Sequence, residues 1–438
     1  MRLSPAATLF LGYIIISFIG GILLYLPFSH KGDLTFVDAL FTSTSALCVT
    51  GLIVVDTATK YSIFGKTIIA ILIQIGGLGY MTITALLFAA LGSKGSIYAR
   101  KLILATLGSG DLGIIIRFAT TIVFISLLIE LLAVPFLFIP FLKHHSPIEA
   151  LGHAVFHSIS ALNNAGFSTF SNNLMDYAND PLVNITIMTL IVLGGLGFKV
   201  WGDIYNFVFK GKMITLHDKL VISTTAILIL VPFLLFFLLE GQTRGSIWKS
   251  LFASITPRTA GFNTVDYSQM SPFSLLLTST LMFIGGSPGG TAGGIKTVTF
   301  AIVVIWIYQT LQGKIHISAF KREIPTEVVV KSFQTFVLGI STLWLWAIIL
   351  SFTERDVISG VGFIRFLFEI FSAFGTVGLS TGSMTVPNAS LVADFSTFGK
   401  LMIILAMIIG RAGYLIFAAS LIQPKRVRFR YAKGEVIV

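Results

Sequence analysis

Apolar residues dominate this chain from end to end, and polar residues collect in the short stretches between apolar runs. About 20 apolar residues span a bilayer as a helix, and longer runs cross it with tilt. On that basis the runs predict eight membrane-crossing segments, at 6–28, 64–91, 113–142, 181–209, 218–240, 271–312, 326–352 and 393–422. Between the members of each pair lies a shorter amphipathic stretch, near 35–48, 148–162, 246–257 and 361–374. These stretches are too short to cross. A segment that enters the membrane without crossing it must be buried in protein or line water. The pattern therefore reads as span, short helix, loop, span, four times over. The expected fold is an all-α integral membrane protein, with eight transmembrane helices and four re-entrant pore helices around a pseudo-four-fold pore. The expected units are 1–92, 93–211, 212–314 and 315–438, the last carrying a basic C-terminal tail.

Each short helix runs into a glycine turn: Val49-Thr50-Gly51, Asn164-Ala165-Gly166, Thr259-Ala260-Gly261 and Thr376-Val377-Gly378. One such triplet means little in a chain with 41 glycines. Four at matching places predict loops that meet on one axis. An ion entering them would exchange its water shell for backbone carbonyls, which suit a monovalent cation because they are strong dipoles without full charge. A ring of Asp or Glu would suit divalent ions better, and no triplet contains one. Glycine permits the positive φ that aims successive carbonyls, and the short helix points its negative dipole end at the axis.

A second string recurs in the later span of each unit: Ile75–Met81, Leu193–Lys199, Ile284–Gly290 and Ile409–Leu415, each with glycine at its second position. Small-residue packing between helices is the plain explanation for any one copy. Four copies in phase with four turns point to a quadruplicated unit. The third copy belongs to a longer run, Gly285, Gly286, Ser287, Pro288, Gly289, Gly290, Thr291, Ala292, Gly293, Gly294, Ile295 and Lys296. Glycine pairs and a proline disfavour a helix, so this span is predicted to break into a loop lining a cavity. A phosphate-binding loop is excluded by the missing Gly-Lys contact. Arg411 stands where the other copies have Gly77, Gly195 and Gly286. A charge so deep usually faces a watery cavity. Arg411 is therefore expected to face the pore and hold the 285–296 loop in a closed constriction, with snorkelling to the inner surface as the alternative.

Composition agrees. Only 11% of residues are charged, against roughly 25% in soluble domains, and mean hydropathy is +0.91. A net charge of +11 could suggest nucleic acid, but its placement argues otherwise. Lysines and arginines gather in alternate loops, as at Lys94, Arg100, Lys101, Lys210, Lys212 and Lys425–Lys433, while acids such as Asp56, Asp176, Asp266 and Asp394 occupy the others. This positive-inside bias puts both termini in the cytoplasm. The single cysteine, Cys48, rules out an internal disulfide, and residues 6–28 read as a retained span, not a cleaved leader.

Four side chains need separate readings. Arg258 precedes the third triplet and is expected to pair with an outer carboxylate such as Asp266, ahead of tuning the pore mouth. His153 and His157 are spaced to share a metal, but no further ligand is near in sequence, so a packed helix face is expected. Glu130 is an acid within a span, expected in a buried ion pair or hydrogen bond. An intramembrane enzyme built on His153, His157 and Glu130 is the rival class. A carrier with inverted repeats is disfavoured because all four short helices start outside.

The four x-x-Gly turns, the interruption Gly285–Gly294 and Arg411 together resemble the potassium-translocating subunits of the Trk/Ktr/HKT superfamily, over nearly the whole chain. The chain opens directly on the first unit, which looks more like KtrB-type than TrkH-type members. The resemblance implies potassium uptake, often helped by sodium, in a bacterial plasma membrane, with no organic cofactor. It implies a homodimer in lipid with one pore per protomer. A cytosolic, nucleotide-binding KtrA-type ring is expected on the inner face. Gly51, where some plant relatives that pass sodium carry serine, argues for potassium. A non-selective sodium/potassium channel of the same fold is the alternative.

Overall fold

The computed structural model describes residues 5–79, 112–414 and 417–418. The inner part of the second predicted span, the loop with Lys94, Arg100 and Lys101, Leu415, and the tail from Lys425 to Val438 lie outside the described residues.

Each unit begins with an apolar helix: α1 (Pro5–Tyr25), α4 (Leu112–Phe141), α8 (Leu216–Leu239) and α12 (Thr326–Thr353). Three of them are long and apolar enough to cross a membrane unaided, and they turn residues such as Phe124, Leu131, Leu230 and Trp344 outward. A continuous exposed apolar belt of this kind is a lipid-facing surface. The short helices are α2 (Phe36–Leu47), α5 (Pro147–Leu162), α9 (Ile247–Ile255) and α14 (Phe363–Gly375). Thr35 and Ser246 cap two of them by accepting backbone N–H bonds, and Ser146 with Glu149 forms a capping box on a third. The fourth follows a helix, α13 (Arg355–Val361), bent by 115° from it at Gly362. The later spans are α3 (Ile63–Leu78), α6 (Pro181–Leu196), α10 (Pro272–Phe283) and α15 (Thr397–Ala412). This is the multi-pass membrane fold expected from the apolar pattern.

The units close into a circle by one repeated contact. Each later span packs on the short helix of the following unit: α3 on α5, α6 on α9, α10 on α14, and α15 back on α2. The glycine string explains how a span also lies against its own unit. A Cβ on Gly76, Gly194 or Gly410 would overlap the carbonyl oxygen of Leu47, Leu162 or Phe374, the residue at or next to the end of that unit's short helix. Close approach of two backbones leaves no room for a side chain.

One expectation needs correction. The apolar runs at 64–91, 181–209 and 393–422 read as continuous spans, and only the sixth as broken. In the structure helices α3, α6 and α15 all stop at the fifth string position, at Gly79, Gly197 and Gly413, with φ of 81°, 92° and 98°. At Gly197 the chain turns by 99° into α7 (Phe198–Lys210). Hydropathy does not register a change of direction inside lipid. The sixth span breaks as expected, into α10 and α11 (Thr297–Leu311), with the 284–296 loop between them. A two-residue hairpin, Ser318–Ala319 with Arg322–Glu323, joins α11 to α12.

These contacts give a paired prediction. Gly76→Ala should lower the thermal midpoint of the detergent-solubilised protein, because overpacking costs about 1–3 kcal/mol. Gly202→Ala, on α7 with nothing within 4 Å, should leave it unchanged or raise it. Equal midpoints for the two variants would refute the close-packing account.

Candidate functional site

The four triplets meet in a ring. A Cβ on Gly51 would sit 2.5 Å from the Ala165 carbonyl oxygen, and one on Gly166 would sit 2.7 Å from that of Ala260. On Gly261 and Gly378 it would overlap the carbonyl oxygens of Val377 and Thr50. Each unit thus offers the carbonyl of its middle residue to the glycine of a neighbour, and the fourth closes on the first. Eleven of the twelve triplet residues predicted from sequence are buried here, and Gly378 is half-buried.

Backbone conformation and hydrogen bonding explain why carbonyls collect inside the ring. The first residue of each triplet has positive φ, at Val49 (49°), Asn164 (56°), Thr259 (67°) and Thr376 (49°). So does each glycine: Gly51 (91°), Gly166 (68°), Gly261 (76°) and Gly378 (92°). Alternating left-handed residues turn successive carbonyls to one side, where an ordinary strand would alternate them. The middle N–H groups are held elsewhere. Those of Thr50, Ala165, Ala260 and Val377 donate to the carbonyls of Ser45, Ser160, Thr256 and Ser372 at 2.8–3.0 Å. Those carbonyls belong to the last turn of a short helix or, for Thr256, to the residue that caps it, and such groups otherwise lack partners. Among the described residues, the carbonyls of Thr50, Ala165, Ala260 and Val377 accept no hydrogen bond.

One set of residues was missed from the sequence. A hydroxyl at the end of every short helix braces its turn. Ser45 and Ser372 accept from the N–H of Gly51 and Gly378, at 3.1 and 3.0 Å. Ser160 and Thr256 donate to the carbonyls of Phe167 and Phe262, at 2.8 and 2.5 Å. A hydroxyl-bearing residue six positions before the glycine in units 1, 2 and 4, and five before it in unit 3, was the available signal.

Outside the ring lies a cavity of about 460 Å³ lined by all four glycines, with Asp56, Asp266 and Arg365 on its wall. On the other side lies the 284–296 loop. Its neck is closed by Gly285 N–H donating to Ile295 O at 2.9 Å and Thr297 N–H to Gly286 O at 3.0 Å. Unit 2 holds one flank, through Ser287 N–H to Gly195 O (2.8 Å) and Thr291 N–H to Gly194 O (3.1 Å). The first residue of α7 holds the tip, with Phe198 N–H donating to Gly289 O at 3.1 Å. The bend at Gly197 makes room for it, since Pro288 O fills the place of a Cβ there. Arg411 reaches in from unit 4 and donates to the carbonyls of both Thr291 and Gly76. One guanidinium therefore ties the loop to units 1 and 4. Lys296 donates to Ala292 O within the loop at 2.5 Å. Gly293 lies against the Thr376 hydroxyl, so the loop touches the base of the fourth triplet.

The remaining candidates are not in the ring. His157 bonds Ser168 Oγ at 2.9 Å and stacks on Phe170, and His153 bonds Thr169 Oγ1 at 2.6 Å. Among the described residues, no group of three or more His, Cys, Asp or Glu could hold a metal ion. Glu130 accepts from Asn163 Nδ2 at 3.0 Å. The expected pairing of Arg258 with Asp266 is absent. Arg258 is buried and donates to Thr225 O and Oγ1 at 3.4 and 3.2 Å, while Asp266 caps the Ser268 N–H. The turn that follows α9 places Arg258 against α8.

Comparison with known proteins agrees with this architecture. Residues 9–427 match the TrkH family model, described as a cation transport protein. The chain is 38% identical to the Ktr system potassium uptake protein B of Bacillus subtilis, covering 100% of this chain and 97% of that one. It is also 38% identical to the potassium/sodium uptake protein NtpJ of Enterococcus hirae, over 99% and 96% of the two chains. The crystal structure of the potassium transporter TrkH from Vibrio parahaemolyticus superposes with a TM-score of 0.74 at 20% identity, covering 94% of this chain and 84% of that one.

The brace geometry predicts that Ser372→Ala speeds amide exchange at Gly378 by about fivefold, the equivalent of roughly 1 kcal/mol for one hydrogen bond. Hydrogen-exchange mass spectrometry of the turn would read this directly. Exchange no faster than in the unaltered protein would remove the brace from the account.

Proposed function

This chain belongs to the TrkH family of cation transport proteins, and from that premise we propose that it carries potassium into the cell through the ring of triplet carbonyls. The ring is the observation that carries the proposal. Carbonyls free of hydrogen bonds, drawn from four units of one chain, supply the oxygens a dehydrated monovalent cation needs. Potassium binds at Val49, Thr50 and Gly51 and their counterparts in units 2, 3 and 4. The proposed site of action is the bacterial plasma membrane, with both termini in the cytoplasm. Inward movement of one charge gains about 2.3 kcal/mol per 100 mV of membrane potential, so this chain needs no ATP chemistry.

The 285–296 loop is the proposed gate and Arg411 its latch. Support comes from the two carbonyls that Arg411 holds, one in the loop and one in unit 1. Releasing the latch would free the loop to move aside. The relatives named as parts of a Ktr system favour control by a cytosolic, nucleotide-binding KtrA-type ring on the inner face of a homodimer. A second reading is a channel that takes sodium and potassium alike. The relative named as a potassium/sodium uptake protein favours it, whereas Gly51 in the ring favours potassium.

Flux into liposomes tests the main proposal. Purified protein should take up potassium down a membrane potential, and a tenfold excess of sodium should reduce that uptake little. Equal competition by sodium would select the second reading, and no cation-selective uptake would defeat both. For the gate, Arg411→Ala should raise flux in the absence of any regulatory subunit. Unchanged flux would mean that the guanidinium does not restrain the loop.

A further inference from the structure

The residue just before each triplet differs in every unit: Cys48, Asn163, Arg258 and Gly375. Two of the four are long polar side chains, and both point away from the axis into the wall behind the ring. Asn163 is 1% exposed, and its Nδ2 donates to Glu130 Oε1 and to Gln74 Oε1, each at 3.0 Å. Arg258 is 5% exposed and reaches Thr225 on the first span of its own unit. Asn163 and Glu130 are separated by 33 residues, and so are Arg258 and Thr225. Glu130 and Thr225 therefore occupy the same place in the repeat.

Among the described residues, units 1 and 4 have no such link from the residue before the triplet. Cys48 and Gly375 are too short to make one. The residues at the same offset are Ile15, which is 48% exposed, and Thr342, whose hydroxyl donates to Leu338 O on its own helix. The residue before the triplet thus ties the ring to its outer wall on two adjacent sides and makes no such bond on the other two.

We propose that Glu130 and Thr225 are positioning residues for ion discrimination, acting through Asn163 and Arg258 to restrain the second and third triplets. This rests on the reading of the ring as the ion-selective element. Discrimination between ions of different radius depends on how far the coordinating carbonyls can yield, so a tether behind the strand bears on selectivity. Two further observations support the tether. Glu130 sits in a lipid-facing helix between Leu131 and residues like it, where a carboxyl is costly without an inward partner. Gly77 of unit 1 must lack a side chain, because a Cβ there would overlap Asn163 Oδ1. The Asn163 side chain is therefore lodged between two units.

The test compares potassium and sodium uptake by purified protein in liposomes, taken as a ratio so that the amount of active protein cancels. Glu130→Ala should lower the potassium-over-sodium ratio by about tenfold, and Thr225→Val, which removes one hydroxyl, by about threefold. Glu130→Gln keeps an acceptor oxygen for Asn163 and should restore the ratio to near that of the unaltered protein. Leu131→Ala, on the same helix but facing lipid, should not change it. Unchanged ratios in Glu130→Ala and Thr225→Val, with only total uptake reduced, would overturn the proposal. So would a Glu130→Gln protein as indiscriminate as the alanine variant. If Glu130→Ala does not assemble, the ratio for Thr225→Val decides alone. Absence of uptake by the unaltered protein would instead count against the proposed function itself, which keeps the two failures apart.

Discussion

The structure depends on where one kind of backbone hydrogen bond goes. A helix ends with carbonyls that lack partners, and a tight turn after it carries N–H groups that need acceptors. In each unit the turn donates its amides to the helix that precedes it, from Thr50 to Ser45 O in unit 1 through Val377 to Ser372 O in unit 4. Both debts are settled inside the unit. The turn's own carbonyls are left over, and the alternating left-handed conformation aims them at the centre. A ring this narrow has no room for side chains, so glycine is required where one unit's carbonyl meets the next.

Much of the remaining architecture brings four such turns to one place. A short helix must end at the axis, so a long helix has to pack against its end without a side chain between them. The glycine strings of the later spans meet that condition, with Gly76, Gly194 and Gly410 resting on the final carbonyls of the short helices. Each later span also touches the next short helix in the circle, which sets the angular order of the units. Unit 3 departs from this rule. Its string continues into the 284–296 loop, and a second arm of backbone bonds from Gly194, Gly195 and Phe198 holds that loop beneath the ring. Arg411 departs from the rule in unit 4, replacing a glycine with a side chain that crosses to two other units.

The sequence placed the short helices closely. The expected stretches 35–48 and 148–162 became Phe36–Leu47 and Pro147–Leu162, because capping residues and a terminal glycine turn mark both ends locally. The bend at Gly197 and the helix ends at Gly79 and Gly413 were not legible. An apolar stretch stays apolar whether it continues straight or turns by 99°, and the glycines that permit the turn also serve for packing. The partner of Arg258 was misjudged for a related reason. Opposite charge nominated Asp266, whereas the direction of the turn after α9 chose the neutral Thr225 on another helix.

By itself the sequence determined the membrane location of the chain, the fourfold repetition and the identity of the turns, because hydropathy, capping and glycine spacing are all properties of residues near each other in the chain. It also singled out Arg411 by the depth of its charge. Only the tertiary structure decided that the four turns close into one ring, which carbonyls are free, what Arg411 holds, and that two of the four turns are tied to the wall behind them. Those facts depend on contacts between residues far apart along the chain, such as Gly378 with Thr50 or Arg411 with Gly76. Distance along the chain carries no record of such contacts. They exist only once the units have packed.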